Sequence, residues 1–277
     1  MSPSLTLPAP ESVTTRFLVA AMECVSEPFR DILSGTAVAR TARELHARSL
    51  LTIRPHSAAP EWTTRLGGAI GYLERLERAR HHLLVQTRSS PENAPRHAQA
   101  ARQAARLLAA AANGLVIDVD SNQVVKPSPL EPGRFVLGQE WIGVFITLDE
   151  TGCIRADTAG LHRFGLPELT VQRVSYGHLL TAANLLRALA FRLFAERGAA
   201  AVPAERLLNA GDLLRFWGAR PIRAGRFLVA LSPAATTCSQ CRTALEVSPP
   251  SGGEAPGWWN DKPGRALPKL LSAHPDG

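Results

Sequence analysis

Along this chain the apolar residues change spacing in blocks, from continuous runs to every third or fourth position, and those changes mark the elements. Arg16 to Met22 is an apolar run closed by Glu23, the form of a buried strand. Thr36 to Arg48 carries Val38, Ala42 and Leu45 at helical spacing, with Arg40, Arg43 and Arg48 largely elsewhere. Leu50 to Ile53 reads as a short strand, and Glu61 to Arg80 as a helix weakened by Gly67, Gly68 and Gly71. His81 to Thr87 is a strand, Pro95 to Ala112 a helix striped by Ala98, Ala101, Ala105 and Leu108, and Asn113-Gly114 its C-cap. Leu115 to Val119 is a strand, Asp120-Ser121-Asn122 a turn, and Gln123 to Val125 its hairpin partner.

A long loop, Lys126 to Gly138, follows, and then Trp141 to Leu148 and Cys153 to Ala156 form a hairpin across Asp149 to Gly152. Leu179, Ala182, Leu186, Leu189 and Leu193 set a long helix ending at Gly198. One short helix is expected near Leu207, and Arg226 to Leu231 is a strand. From His81 to Arg197 this order predicts an α+β ferredoxin-like sandwich, a mainly antiparallel sheet with helices on one face. The expected organisation is an α/β region at 1–80, separate or part of the same sheet, an α+β core at 81–232, and a Pro/Gly-rich disordered tail at 233–277. Arg16 to Ile53 and His81 to Val119 both read strand, helix, strand, the outline of a duplication without residue identity to carry it.

Composition narrows the class: 45% hydrophobic and 20% charged residues in 277 exclude collagen-like, coiled-coil and fully disordered chains. Four cysteines are too few for a disulfide framework, no basic leader precedes the first apolar run, and no window approaches a membrane span, so a cytoplasmic protein with no membrane partner is expected. The net charge of +7 favours anionic partners, but only Lys126, Lys262 and Lys269 of the 31 basic residues are lysine, which points to compositional bias.

At Asp157 to Glu168 the chain reads DTAGLHRFGLPE and continues LTVQRV. Gly160, Leu161, Phe164, Gly165, Pro167, Glu168 and Leu169 form a "GL..FG.PEL" stretch that resembles a bacterial domain-of-unknown-function family over about His81 to Gly198. The resemblance implies a fold type and a bacterial cytoplasmic setting, and no activity. On physical grounds the two glycines supply unusual backbone angles, Leu161 and Phe164 plug the sheet edge, and Glu168 caps a backbone N–H or belongs to a ligand-binding loop.

The strongest candidate binding patch is Arg215, Phe216, Trp217, Arg220, Arg223 and Arg226, where guanidiniums hold phosphate and rings stack; the plainer alternative is a solvated loop with Phe216 and Trp217 in the core. Asp118 and Asp120, two apart at a strand end, are weak candidates for a cation site, against an Asx turn. Cys238 and Cys241 have the spacing of half a zinc site. Trp258-Trp259 suggests a docking motif or residues that fold back. Phosphate loops, dinucleotide fingerprints and nucleophile elbows are missing, so no cofactor is expected and the enzyme class is disfavoured. The leading expectation is a non-enzymatic module that binds an unidentified protein partner through the tail or the Gly160 to Glu168 loop. Anion or nucleic-acid binding comes second, and a metal-dependent enzyme third.

Overall fold

The strand β2 (Val13–Ala21) organises the first of two units, Pro10–Phe135. Its odd positions Val13, Thr15, Phe17, Val19 and Ala21 are all buried, whereas on the even face only Leu18 and Ala20 are, against Leu76, Leu115 and Ile117. In this computed structural model the described residues are 4–7, 10–24, 36–57, 71–128, 130–148, 152–199, 201–221, 225–235, 243–250 and 255–267.

Around β2 stand α1 (Ala37–Ala47), β3 (Leu51–Pro55), α2 (Leu73–Glu77), β4 (His81–Ser89), α3 (Ala94–Ala111), β5 (Leu115–Asp118) and β6 (Gln123–Val125). The sheet order is β3-β4-β2-β5-β6, antiparallel throughout. Each strand–helix–strand segment, β2-α1-β3 and β4-α3-β5, is therefore split by the first strand of the other. The expected boundary at residue 80 falls inside this sheet, because β2 and β4 pair from Val13↔Ser89 to Ala21↔His81. Thr36 caps α1 by accepting from Ala39 N at 3.0 Å. The α3 stripe of Ala98, Ala101, Ala105 and Leu108 is buried, and small side chains let the helix lie close to β2 and β4. Its end is fixed by Asn113 at φ 47° and by Gly114, where a Cβ would stand 2.7 Å from Ala20 O.

The opposite stripe of α3 is unusual, since Gln99, Arg102, Gln103 and Arg106 are polar and all buried. The loop after β6 covers them. Glu131 receives Arg102 Nε at 2.9 Å, a second bond from Arg102 Nη2, and Arg106 Nη1 at 2.8 Å. Arg106 also donates to Leu130 O, Gln103 Oε1 accepts from Glu131 N at 2.6 Å, and Gln99 Nε2 donates to Pro132 O at 2.9 Å. Side chains thereby satisfy a loop backbone that has no sheet partner.

The second unit comprises Met1–Ala9 and Val136–Gly277. β7 (Gly143–Leu148), β8 (Ile154–Ala159) and β9 (Glu168–Val174) form an antiparallel meander. α4 (Leu179–Ala195) packs its leucines on it, and β10 (Ala201–Pro203) pairs with β1 (Ser4–Thr6). β11 (Glu205–Asn209), α5 (Ala210–Phe216), β12 (Arg226–Ala234) and β13 (Ala244–Ser248) follow, giving the order β11-β12-β13-β9-β8-β7. Leu207 thus lies on a strand, and the short helix begins at Ala210 behind the Asn209–Asp212 capping box. Part of the segment expected as a disordered tail is built into the fold: β13 sits between β12 and β9 with Ala244, Leu245 and Val247 buried. α6 (Ala255–Asp261) and α7 (Pro263–Ala266) follow it, so Pro and Gly here punctuate short elements.

The chain is α+β, although the stretch from His81 to Arg197 is divided between the two units instead of forming one sandwich. Among the described residues no helix is long and apolar enough to cross a membrane. Replacing Glu131 by Ala leaves two buried guanidiniums without their carboxylate, and is expected to cost about 3–5 kcal/mol. Urea unfolding measures it, and a loss below about 1 kcal/mol would mean that water already screens these charges.

Candidate functional site

A cleft of about 380 Å³ lies along the seam of α1 and α3, lined by Ala37, Val38, Arg40, Thr41 and Glu44 of α1, Arg96 and Gln99 of α3, and Gly133 of the covering loop. Thr41 and Gln99 are buried, whereas Arg40, Glu44 and Arg96 are exposed. Arg96 Nη2 donates to Thr41 Oγ1 at 3.1 Å, and Thr41 in turn donates to Ala37 O. Spacing along the chain does not mark this place, because the apolar stripe of α3 is the stronger pattern. A polar stripe at 96, 99, 103 and 106 was the available signal, but the same pattern describes an ordinary solvated helix face.

The GL..FG.PEL stretch folds as a tight loop between β8 and β9. Gly160 (φ 112°) and Gly165 (φ 75°) bracket a 3-10 turn, Leu161–Phe164, whose Leu161 and Phe164 are buried. Glu168 closes the loop from within. Its Oε1 accepts from Gly160 N at 3.0 Å and His162 N at 3.1 Å and lies 2.8 Å from His162 Nδ1, while Oε2 accepts from Thr158 Oγ1 at 2.7 Å. Burial acts to raise the Glu168 pKa, but the bonds from His162 and Thr158 outweigh it and hold the carboxyl below its usual range. Both oxygens are engaged by the loop itself, so Glu168 acts as a strut within it.

The basic-aromatic patch is divided. Phe216 is buried, Trp217 is half-buried at 5.0 Å from Phe216 in an edge-on pair, and Trp217 also crowds Gly138, where a Cβ would come within 2.6 Å of its ring. Arg215 is exposed with Nη1 3.7 Å from Asp212, and Arg220 and Arg226 are exposed. Arg223 lies outside the described residues. The cation on Trp217 comes from elsewhere: Arg187 of α4 places its guanidinium 5.3 Å from the ring centroid and donates to Asn184 Oδ1 at 3.1 Å. Burial lowers the Arg187 pKa, and among the described residues no carboxylate pairs with it. No local pattern links residues thirty positions apart, so the sequence alone could not supply Arg187.

Asp118 Oδ1 accepts from Asp120 N at 3.1 Å and Ser121 N at 3.2 Å, an Asx turn, and Asp120 is held by Arg16 through Nη2 at 2.8 Å. These carboxylates are committed to N–H donors, and among the described residues no group of three metal-ligating side chains assembles. Cys238 and Cys241 lie outside the described residues. Trp258 and Trp259 are buried, the first 6.4 Å from Phe227 and the second stacked 6.0 Å from His178, so the pair folds back onto its own unit.

No family model, no curated protein and no solved structure matches this chain. Its function is therefore argued from its own groups.

A depressed carboxyl contributes stability above its unfolded pKa and loses it as pH falls through the folded value. Glu168→Gln is expected to cost about 1–3 kcal/mol at neutral pH, and its gap from the wild type to narrow below about pH 4.3. Thermal unfolding across that range checks this, and a pH-independent gap would contradict it.

Proposed function

We propose that the protein is a non-enzymatic interaction module that docks a partner protein on the outer face of β11 and β12. The supporting observation is one apolar pair. Leu207 and Leu228 are direct cross-strand partners, yet they are 44% and 42% exposed, while their neighbours Leu208, Phe227 and Val229 are buried. Arg226 and Leu228 alternate with those buried residues on one face of β12, and Glu205 shares the Leu207 face of β11, so the pair has a charged rim. An apolar centre with a polar rim is the anatomy of a protein contact. The Gly160 to Glu168 loop and Trp258-Trp259 are mostly buried, which favours the β11–β12 face over them as the docking surface.

The first unit, on this reading, is a scaffold of ferredoxin-like type, supported by the interleaving of β2-α1-β3 with β4-α3-β5. A reducing, cytoplasmic setting is supported by the exposed thiol of Cys24, which carries no disulfide. Cross-linking in native extract is expected to give a stoichiometric partner that Leu207→Glu with Leu228→Glu abolishes while leaving thermal unfolding unchanged. Identical products from both proteins would refute the surface.

Arg187 favours a second reading, anion or nucleic-acid binding beside Trp217, because a stacked guanidinium without a carboxylate is suited to phosphate. Arg187→Ala together with Arg215→Ala is expected to abolish salt-dependent retention of a single-stranded oligonucleotide, and unaltered retention would remove this reading.

A further inference from the structure

The cleft between α1 and α3 is independent of the β11–β12 surface, and its charges are specific in number and sign. Arg40, Arg96 and Glu44 line it as exposed charges with Ala37 and Val38, over the buried Thr41 and Gln99. No ion pair joins Arg40 to Glu44, although they stand one turn apart on α1, in the order that pairs less well. Arg96 spends one N–H on Thr41 Oγ1, which tethers its head over α1 and leaves most of its five donors for another acceptor. The start of α1 lies in the same wall, and the Thr36 cap takes Ala39 N, leaving the preceding N–H groups of the first turn to favour negative charge there.

The third wall does not depend on a ligand for its position. Gly133 follows Glu131 and Pro132, which Arg102, Arg106, Gln103 and Gln99 fix to α3. A volume of about 380 Å³ lies at the low end for small-molecule clefts. We propose that this cleft binds a small acidic amino acid, with its two carboxylates on Arg40 and Arg96, its ammonium on Glu44, and its short carbon chain against Ala37 and Val38.

The charge count separates this ligand from simpler ones. Inorganic phosphate, or the phosphate of a nucleic acid, would meet the two guanidiniums but place like charge beside Glu44. A dicarboxylate without an amine meets the same repulsion, and a neutral amino acid leaves one guanidinium unused. Two carboxylates and one ammonium answer all three groups.

The test is a titration of the full chain, followed by calorimetry and by amide chemical shifts, with glutamate and aspartate against glutarate, glutamine and inorganic phosphate. Saturable binding of glutamate or aspartate is expected, with shifts in α1 and the start of α3 and at least about tenfold tighter than any of the other three. Arg40→Ala and Arg96→Ala should each weaken it by about tenfold or more, and Glu44→Gln should erase the preference over glutarate. All three side chains are exposed, so the variants keep the wild-type unfolding temperature, which is measured alongside. No saturable binding at millimolar ligand, phosphate or glutarate binding as tightly as glutamate, or affinity unchanged in the Arg40 and Arg96 variants would each overturn the proposal.

Discussion

Two guanidiniums and one carboxylate, buried together between α3 and the loop after β6, are the interaction on which the first unit depends. An isolated charge in such a place costs several kcal/mol, so Arg102, Arg106 and Glu131 are tolerable only as a set. Being a set, they specify position: Glu131 reaches both arginines only when its own N–H meets Gln103 and when Pro132 O meets Gln99. A hydrophobic cover could slide along α3, and these directional bonds do not allow that. The loop therefore becomes a fixed wall, and the cleft beside it acquires a shape before anything binds.

Arginine is put to several separate uses in this protein, and the net charge of +7 conceals the differences. Arg16 holds the turn carboxylate of Asp120, Arg102 and Arg106 hold a loop, Arg155 neutralises Asp157, and Arg187 lies on a tryptophan. Net charge alone therefore says little about where an anion would bind, because these arginines differ in burial and in partner.

Much of the local structure was legible. The spacing of Ala98, Ala101, Ala105 and Leu108, the Asn113-Gly114 stop and the two left-handed glycines at 160 and 165 each depend on a few neighbouring residues, and local sequence encodes them. What stayed hidden was non-local. The Gln99 to Arg106 stripe looks like a wet helix face until Glu131, some thirty residues on, is laid over it. The strand β13 is short and set among prolines, and its place depends on pairing with β9, more than seventy residues earlier. The surroundings of Trp217 are non-local in the same way: sequence sets Arg215 near it, and the fold brings Arg187 and Gly138 to the ring.

The Glu131 clasp is closed and rigid without a ligand, so that it presents a preformed wall. Amide hydrogen exchange on the unliganded full chain tests it most directly, at the single N–H of Glu131 that Gln103 Oε1 accepts. This loop amide is expected to be protected to about the same degree as the amides in the middle of α3. Exchange at the rate of an open loop, with α3 still protected, would contradict it.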